Sequence, residues 1–104
     1  MRFEWDPQKA ARNEQRHGVS FEEAKELFET DADVLEIYDV EHSAAEDRFK
    51  SIGPIRRGVV LVVWTERIDD VIRIISARWA SKAEQKMYRD FVEAIHAKKQ
   101  RADT

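Results

Sequence analysis

"GVVLVVWTERIDDVIRIISARWA" (58–80) decides the reading of this chain. Residues 59–65 are apolar to the end of the run, as in a central strand covered on one or both faces. "RIDD" (67–70) turns the chain into a second strand, 71–78, built on Val71, Ile72, Ile74 and Ile75. Two guanidiniums break the apolar pattern: Arg73 inside the run and Arg78 at its end. Each is either a solvent-facing tooth of an alternating strand or part of a site that grips an anion. If Arg67 pairs with Val71, then Thr65, Arg67 and Arg73 share a face. If Ile68 pairs with Val71, every side chain of the partner strand changes face. In both registers Arg67 and Arg78 lie at opposite ends of the hairpin, about 20 Å apart at ~3.3 Å per residue.

Upstream, "RFEW" (2–5) predicts a short strand with Phe3 and Trp5 on one side. Asp6-Pro7 marks a helix start and Gly18 its stop, giving a helix over about 7–17. Ser20 and Glu23 have capping-box spacing and launch a second helix with Phe21, Ala24, Leu27 and Phe28 on its buried stripe. Strands follow at 33–40 and 48–54, with Gly53-Pro54 starting a turn. Downstream, Ser81 and Glu84 form another capping box. The helix it opens carries Met87, Tyr88, Phe91 and Ile95 on one side, and the polar tail, 97–104, is expected to fray. The order is β-α-α-β-β-β-β-α. Short connections after residue 33 predict a small, mostly antiparallel sheet covered by two N-terminal helices and one C-terminal helix, an α+β fold in a single domain, 1–104.

The chain's 104 residues suffice for a core without disulfides, and with no cysteine there is no thiolate zinc site and no cysteine nucleophile. No apolar run reaches membrane length and the start lacks a signal-peptide h-region, so the reading is a cytoplasmic protein. The formal charge of −3 conceals a separation: eleven acids and one base lie in 20–47, against eight bases and three acids in 73–101. Such a chain can still present a basic surface to nucleic acid.

Lys9, Arg12, Asn13, Arg16 and His17 recur at helical spacing and share one face of the first helix. That stripe either tracks a phosphate backbone or is simply solvated, with Arg16 and His17 suiting the helix C-terminus. Arg78 stands where the last strand meets a helix N-terminus, a favourable place for an anion. Tyr88 is either core or a proton donor at a phosphate. Trp79 is either a rim or core residue or a base-stacking platform. The three histidines have no metal-ligand spacing, and there is no P-loop, nucleophile elbow or dinucleotide fingerprint, so no cofactor or metal is expected. Arginines, lysines, a histidine and a tyrosine suit phosphodiester chemistry without a metal.

"FEWDPQKAARNEQRHGVSFEEA" and "GVVLVVWTERIDDVIRIISARWASKAEQKMY" resemble the BrnT toxins of bacterial type II toxin–antitoxin systems over about residues 3–88. The resemblance implies a RelE-like fold and a ribonuclease that stops translation by cutting RNA, with the 2′-hydroxyl as nucleophile. It carries over Lys9, His17, Arg67, Arg78 and Tyr88. Arg67, Arg78, His17 and Tyr88 are the candidate catalytic residues, and Lys9, Arg12, Asn13, Arg16 and Arg73 the candidate RNA-binding ones. It also implies a ribbon-helix-helix antitoxin, a 2:2 heterotetramer, and contact with DNA only through that antitoxin. Ile68-Asp69-Asp70 departs from the Gly-Asp type of turn commoner in the family. The competing reading is a catalytically silent partner that only completes an operon-repressing complex.

Overall fold

The structure, a computed structural model, describes residues 1–102. Five strands form one mixed sheet in the order β1-β5-β4-β3-β2: Arg2–Glu4 (β1), Leu35–Tyr38 (β2), Phe49–Ile55 (β3), Gly58–Arg67 (β4) and Val71–Trp79 (β5). β1 runs parallel to β5, and the other pairs are antiparallel. The first helix, α1, is Pro7–His17, opened by Asp6, whose Oδ1 accepts from Gln8 N at 2.8 Å, and closed by Gly18 at φ 72°. The expected second helix is present as two short pieces, α2 (Phe21–Ala24) and α3 (Glu26–Glu29), joined through Lys25. The last helix, α4 (Lys82–Ala102), continues through most of the stretch expected to fray, and 103–104 lie outside the described residues.

The turn expected at Gly53-Pro54 is not there. β3 runs straight through both residues, and the hairpin to β4 is the two-residue turn Arg56-Arg57 between the paired Ile55 and Gly58. Pro54 is tolerated because β2 ends at the Leu35–Ile52 pair, so no strand lies beside it on that side. Gly53 is needed for packing: a Cβ there would stand 2.7 Å from Leu27 Cδ1.

The sheet's two faces are covered unequally. One face, with Val60, Val62, Trp64, Ile72, Ile74 and Ala77, lies under α1, α2 and α3 and holds Phe21, Ala24 and Leu27 in the larger core. The other face has a smaller core of Ile52, Leu61 and Ala80, against which Tyr88 of α4 packs. Beyond those residues, towards the β4–β5 turn, that second face is more open: Arg67 and Arg73 are partly exposed there, although Thr65 between them is buried and donates to Asp47 O of the connector before β3. A helix of 21 residues is ~31 Å long, and with so small a core beneath it α4 fits the elongated outline of 51 × 29 × 26 Å.

Candidate functional site

The β4–β5 hairpin pairs Arg67 with Val71, so Thr65, Arg67 and Arg73 share the open face. The ladder then slips: Trp64 pairs with Ile74 but Val63 pairs with Ser76, leaving Ile75 as the extra residue of a β-bulge. The consequence is geometric. Arg73 and Arg78 are five positions apart and belong on opposite faces of a regular strand. The bulge brings Arg78, paired with Leu61, back to the face that Arg73 occupies. Lys50, paired with Val63 and flanked by the inward Ile52, joins them there.

α1 lies against β5 beyond the end of β1, where the strand edge has no neighbour. Asn13 supplies one. Its Nδ2 donates to Ala77 O at 2.8 Å and to Val19 O at 3.1 Å, and its Oδ1 accepts from Ala77 N at 3.1 Å. The amide is buried and all of these bonds go to backbone. Asn13, expected among the RNA-binding residues, thus pegs the helix to the sheet. That peg sets the rest of the stripe beside the bulge, where Lys9, Arg12, Arg16 and His17 line a cleft of about 340 Å³ with Ile75 and Ser76. Among the described residues Lys9, Arg12 and Arg16 form no ion pair, and the half-buried His17 ring has no hydrogen-bond partner.

The strand arginines are placed differently. Arg67 Nε lies 3.2 Å from Glu4 Oε1 and its NH1 lies 3.5 Å from Glu46 Oε2. Arg73 NH1 reaches the same Glu4 oxygen at 3.3 Å. These contacts, Arg67 foremost, hold the Glu4 carboxyl below the usual carboxylate range. Arg78 is gripped by Glu84, NH1 to Oε1 at 2.7 Å and NH2 to Oε2 at 2.8 Å. Glu84 also accepts from Ser81 N at 2.8 Å, which closes the capping box of α4. The Arg78 fork, with lesser help from the Ser81 N–H, outweighs burial and brings the Glu84 carboxyl down to about 2. Tyr88 donates to Asp33 O at 2.6 Å, and burial together with the nearby Asp33 charge raises its phenol. Arg78 and Tyr88 therefore belong to the α4 junction, while Arg67 and Arg73 stand side by side at the far end of the hairpin.

A family model described as the ribonuclease toxin BrnT of type II toxin–antitoxin systems matches residues 5–84. The chain belongs to the BrnT family. The crystal structure of the ribonuclease toxin BrnT from Brucella abortus superposes with a TM-score of 0.58 at 25% identity, covering 79% of this chain and 99% of that one. No curated protein matches. Membership of the BrnT family makes this a ribonuclease toxin with an antitoxin partner. No helix among the described residues is long and apolar enough to cross a membrane.

Sequence reasoning passed over Lys50, Ser76 and Glu4. Lys50 was detectable as the polar partner of Ile52 in a period-two strand. Ser76 depends on the bulge, and Glu4 on the parallel pairing of Glu4 with Arg73. Trp79, weighed as a base-stacking platform, lies beneath the Arg57 guanidinium at 5.1 Å, near Gly18 and Gly58. Arg57 in turn holds Glu23 at 2.6 and 2.9 Å and donates to Gly18 O at 2.7 Å, a second arginine closed onto a capping-box glutamate.

Proposed function

We propose that this BrnT-family chain stops translation by cutting RNA, with the strand held along the α1 cleft and across the open sheet face. The observation that carries this reading is the cleft itself: Lys9, Arg12 and Arg16 line it with His17 and Ser76, and among the described residues none of the three is held in an ion pair, the Asp6 carboxylate acting on Lys9 and Arg12 only at longer range. Cations in that arrangement follow a phosphate backbone and stabilise charge developing on a phosphoryl group. In the step, the 2′-oxygen bonds to phosphorus and the bond to the 5′-oxygen breaks. The products are a 2′,3′-cyclic phosphate and a 5′-hydroxyl, without a metal ion in the step. His17 accepts the 2′-hydroxyl proton, and the 5′-oxygen takes one from solvent. Arg67 and Arg73 hold the strand away from the reacting bond. Arg78 positions α4 at the rim of the face, and Tyr88 anchors the same helix through Asp33.

The toxin acts in the cytoplasm. Its antitoxin is a ribbon-helix-helix protein, the complex is a 2:2 heterotetramer that represses its own operon, and the toxin meets DNA only through that partner. A buried area of at least ~1,600 Å² is expected between toxin and antitoxin. One observation favours the silent-partner reading: Arg67, Arg73 and Arg78 all carry carboxylate partners. Induced expression with mapping of RNA 5′ ends separates the two. Growth arrest with new 5′ ends, relieved by the antitoxin and by His17→Ala in a folded protein, supports the nuclease. Normal growth and intact RNA from a soluble wild-type chain would establish the silent partner.

A further inference from the structure

Two guanidiniums from neighbouring strands meet at one oxygen. Arg67 Nε and Arg73 NH1 lie 3.2 and 3.3 Å from the same Glu4 Oε1. Convergence of two planar cations on a single anionic oxygen is how guanidiniums hold a phosphoryl oxygen. Here the chain's own carboxylate sits in that position.

The contact is built to be exchanged. The side chains of Arg67, Arg73 and Glu4 are 50%, 32% and 43% exposed, so solvent and a ligand reach all three. Glu4 is the last residue of β1 and pairs with Arg73 through the strand backbone. Its carboxylate can swing away by side-chain rotation alone, leaving the β1–β5 ladder intact. The other carboxylate on Arg67, Glu46, comes from the connector before β3 and reaches a different nitrogen at 3.5 Å. The two arginines also lie on the face that continues through Ser76 to the α1 cleft, so a strand seated in the cleft reaches them by extending along β5.

We propose that Arg67 and Arg73 form a phosphate subsite of the RNA face, and that Glu4 fills this subsite in the free protein as an internal stand-in for the phosphate. The proposal rests on the RNA-binding reading of that face. RNA binds there by displacing the carboxylate, and Glu4 thereby sets how readily the toxin engages RNA.

The test compares wild type, Glu4→Gln, Glu4→Ala, Arg67→Ala with Arg73→Ala, and that pair combined with Glu4→Gln. The probe is a 2′-O-methyl oligoribonucleotide, which binds but offers no nucleophile for cleavage. Thermal melts confirm that each variant is folded. Glu4→Gln is expected to bind about fivefold tighter, the size of one exposed ion pair removed from competition. Its log–log salt dependence steepens by about 0.7, one further phosphate contact on a single strand. Both changes vanish once Arg67 and Arg73 are alanine. Equal or weaker binding by both Glu4 variants overturns the proposal, as does a gain that survives loss of the two arginines. If no variant binds the oligonucleotide, inorganic phosphate is titrated and the guanidinium NMR resonances of Arg67 and Arg73 are followed. Shifts in Glu4→Gln would keep the masked anion site and discard RNA as its ligand. Unmoved resonances would discard the site as well.

Discussion

The cations of α1 and the arginines of β4 and β5 carry the same charge in opposite circumstances. Lys9, Arg12 and Arg16 stand without ion-pair partners among the described residues, held beside the bulge by a neighbour, Asn13, whose own polar atoms are fully used. Arg67, Arg73 and Arg78 each face a carboxylate. The difference separates two uses of a basic residue. An unpaired cation on a rigid helix is available to a ligand at once. A paired one is either part of the fold, as Arg78 is through the α4 cap, or must first give up its partner.

The sharpest way to break this comparison is charge reversal on α1. Arg12→Glu with Arg16→Glu is expected to weaken RNA binding on the order of 100-fold at moderate salt and to abolish growth arrest, while the thermal midpoint stays within a few degrees of wild type. Retained binding would move the RNA site away from the cleft. Next in size is Asn13→Ala, which strands the Ala77 N–H and two carbonyls. It should cost about 2–4 kcal/mol in urea unfolding, with RNA affinity of the remaining folded molecules unchanged. A stable Asn13→Ala protein that no longer binds RNA would reverse that assignment.

Arg78→Ala should cost only about 1 kcal/mol, because its pair with Glu84 is partly solvated. Its signature is in the pH dependence. Glu23 and Glu84 are both held at about 2, below an ordinary carboxylate value of 4.5, chiefly by Arg57 and Arg78. A depressed carboxylate stabilises the fold above its unfolded value, and that contribution is lost as pH falls from about 4.5 towards 2. Wild type should lose stability steeply through that window, and Arg57→Ala and Arg78→Ala should each show a shallower loss from a lower starting point in urea melts. The smallest change is expected from Tyr88→Phe, which removes one hydrogen bond to Asp33 O and should cost roughly 1 kcal/mol. RNA cleavage should be unaffected, and a large fall in rate at constant stability would place the phenol at the reacting atoms.

Much of this fold was legible because local chemistry and global structure agree. Asp6-Pro7 and Gly18 bound α1, and both Ser-x-x-Glu boxes start helices where their spacing indicated. The face shared by Thr65, Arg67 and Arg73 was one of two registers open to the sequence. Other features depend on partners remote in sequence. Gly53-Pro54 reads as a turn until one sees that β2 stops short of it and that Leu27 needs the glycine's space. Asn13 reads as one more polar residue in a basic stripe, because nothing local reveals that the β5 edge opposite has lost its neighbour. Arg78 and Glu84 were each noticed, one for an anion and one for a cap. Only the strand–helix junction reveals that they satisfy each other.

The extra residue at Ile75 divides β5 into two phases. Up to Arg73, odd-numbered positions look onto the open face, and from Ser76 onward the even-numbered ones do. A substitution scan of this strand would therefore show tolerance alternating with one rhythm, a beat missed at residue 75, and the opposite rhythm afterwards. A deletion anywhere from 74 to 76 would restore an unbroken beat. It would leave the other side chains on their present faces, Arg78 beside Arg73 and Ala77 on the helix-covered side, because the bulge and the extra residue are lost together. Length at this one place is therefore less constrained than elsewhere in β5, where losing one residue without a bulge to absorb it would move every side chain beyond it to the other face.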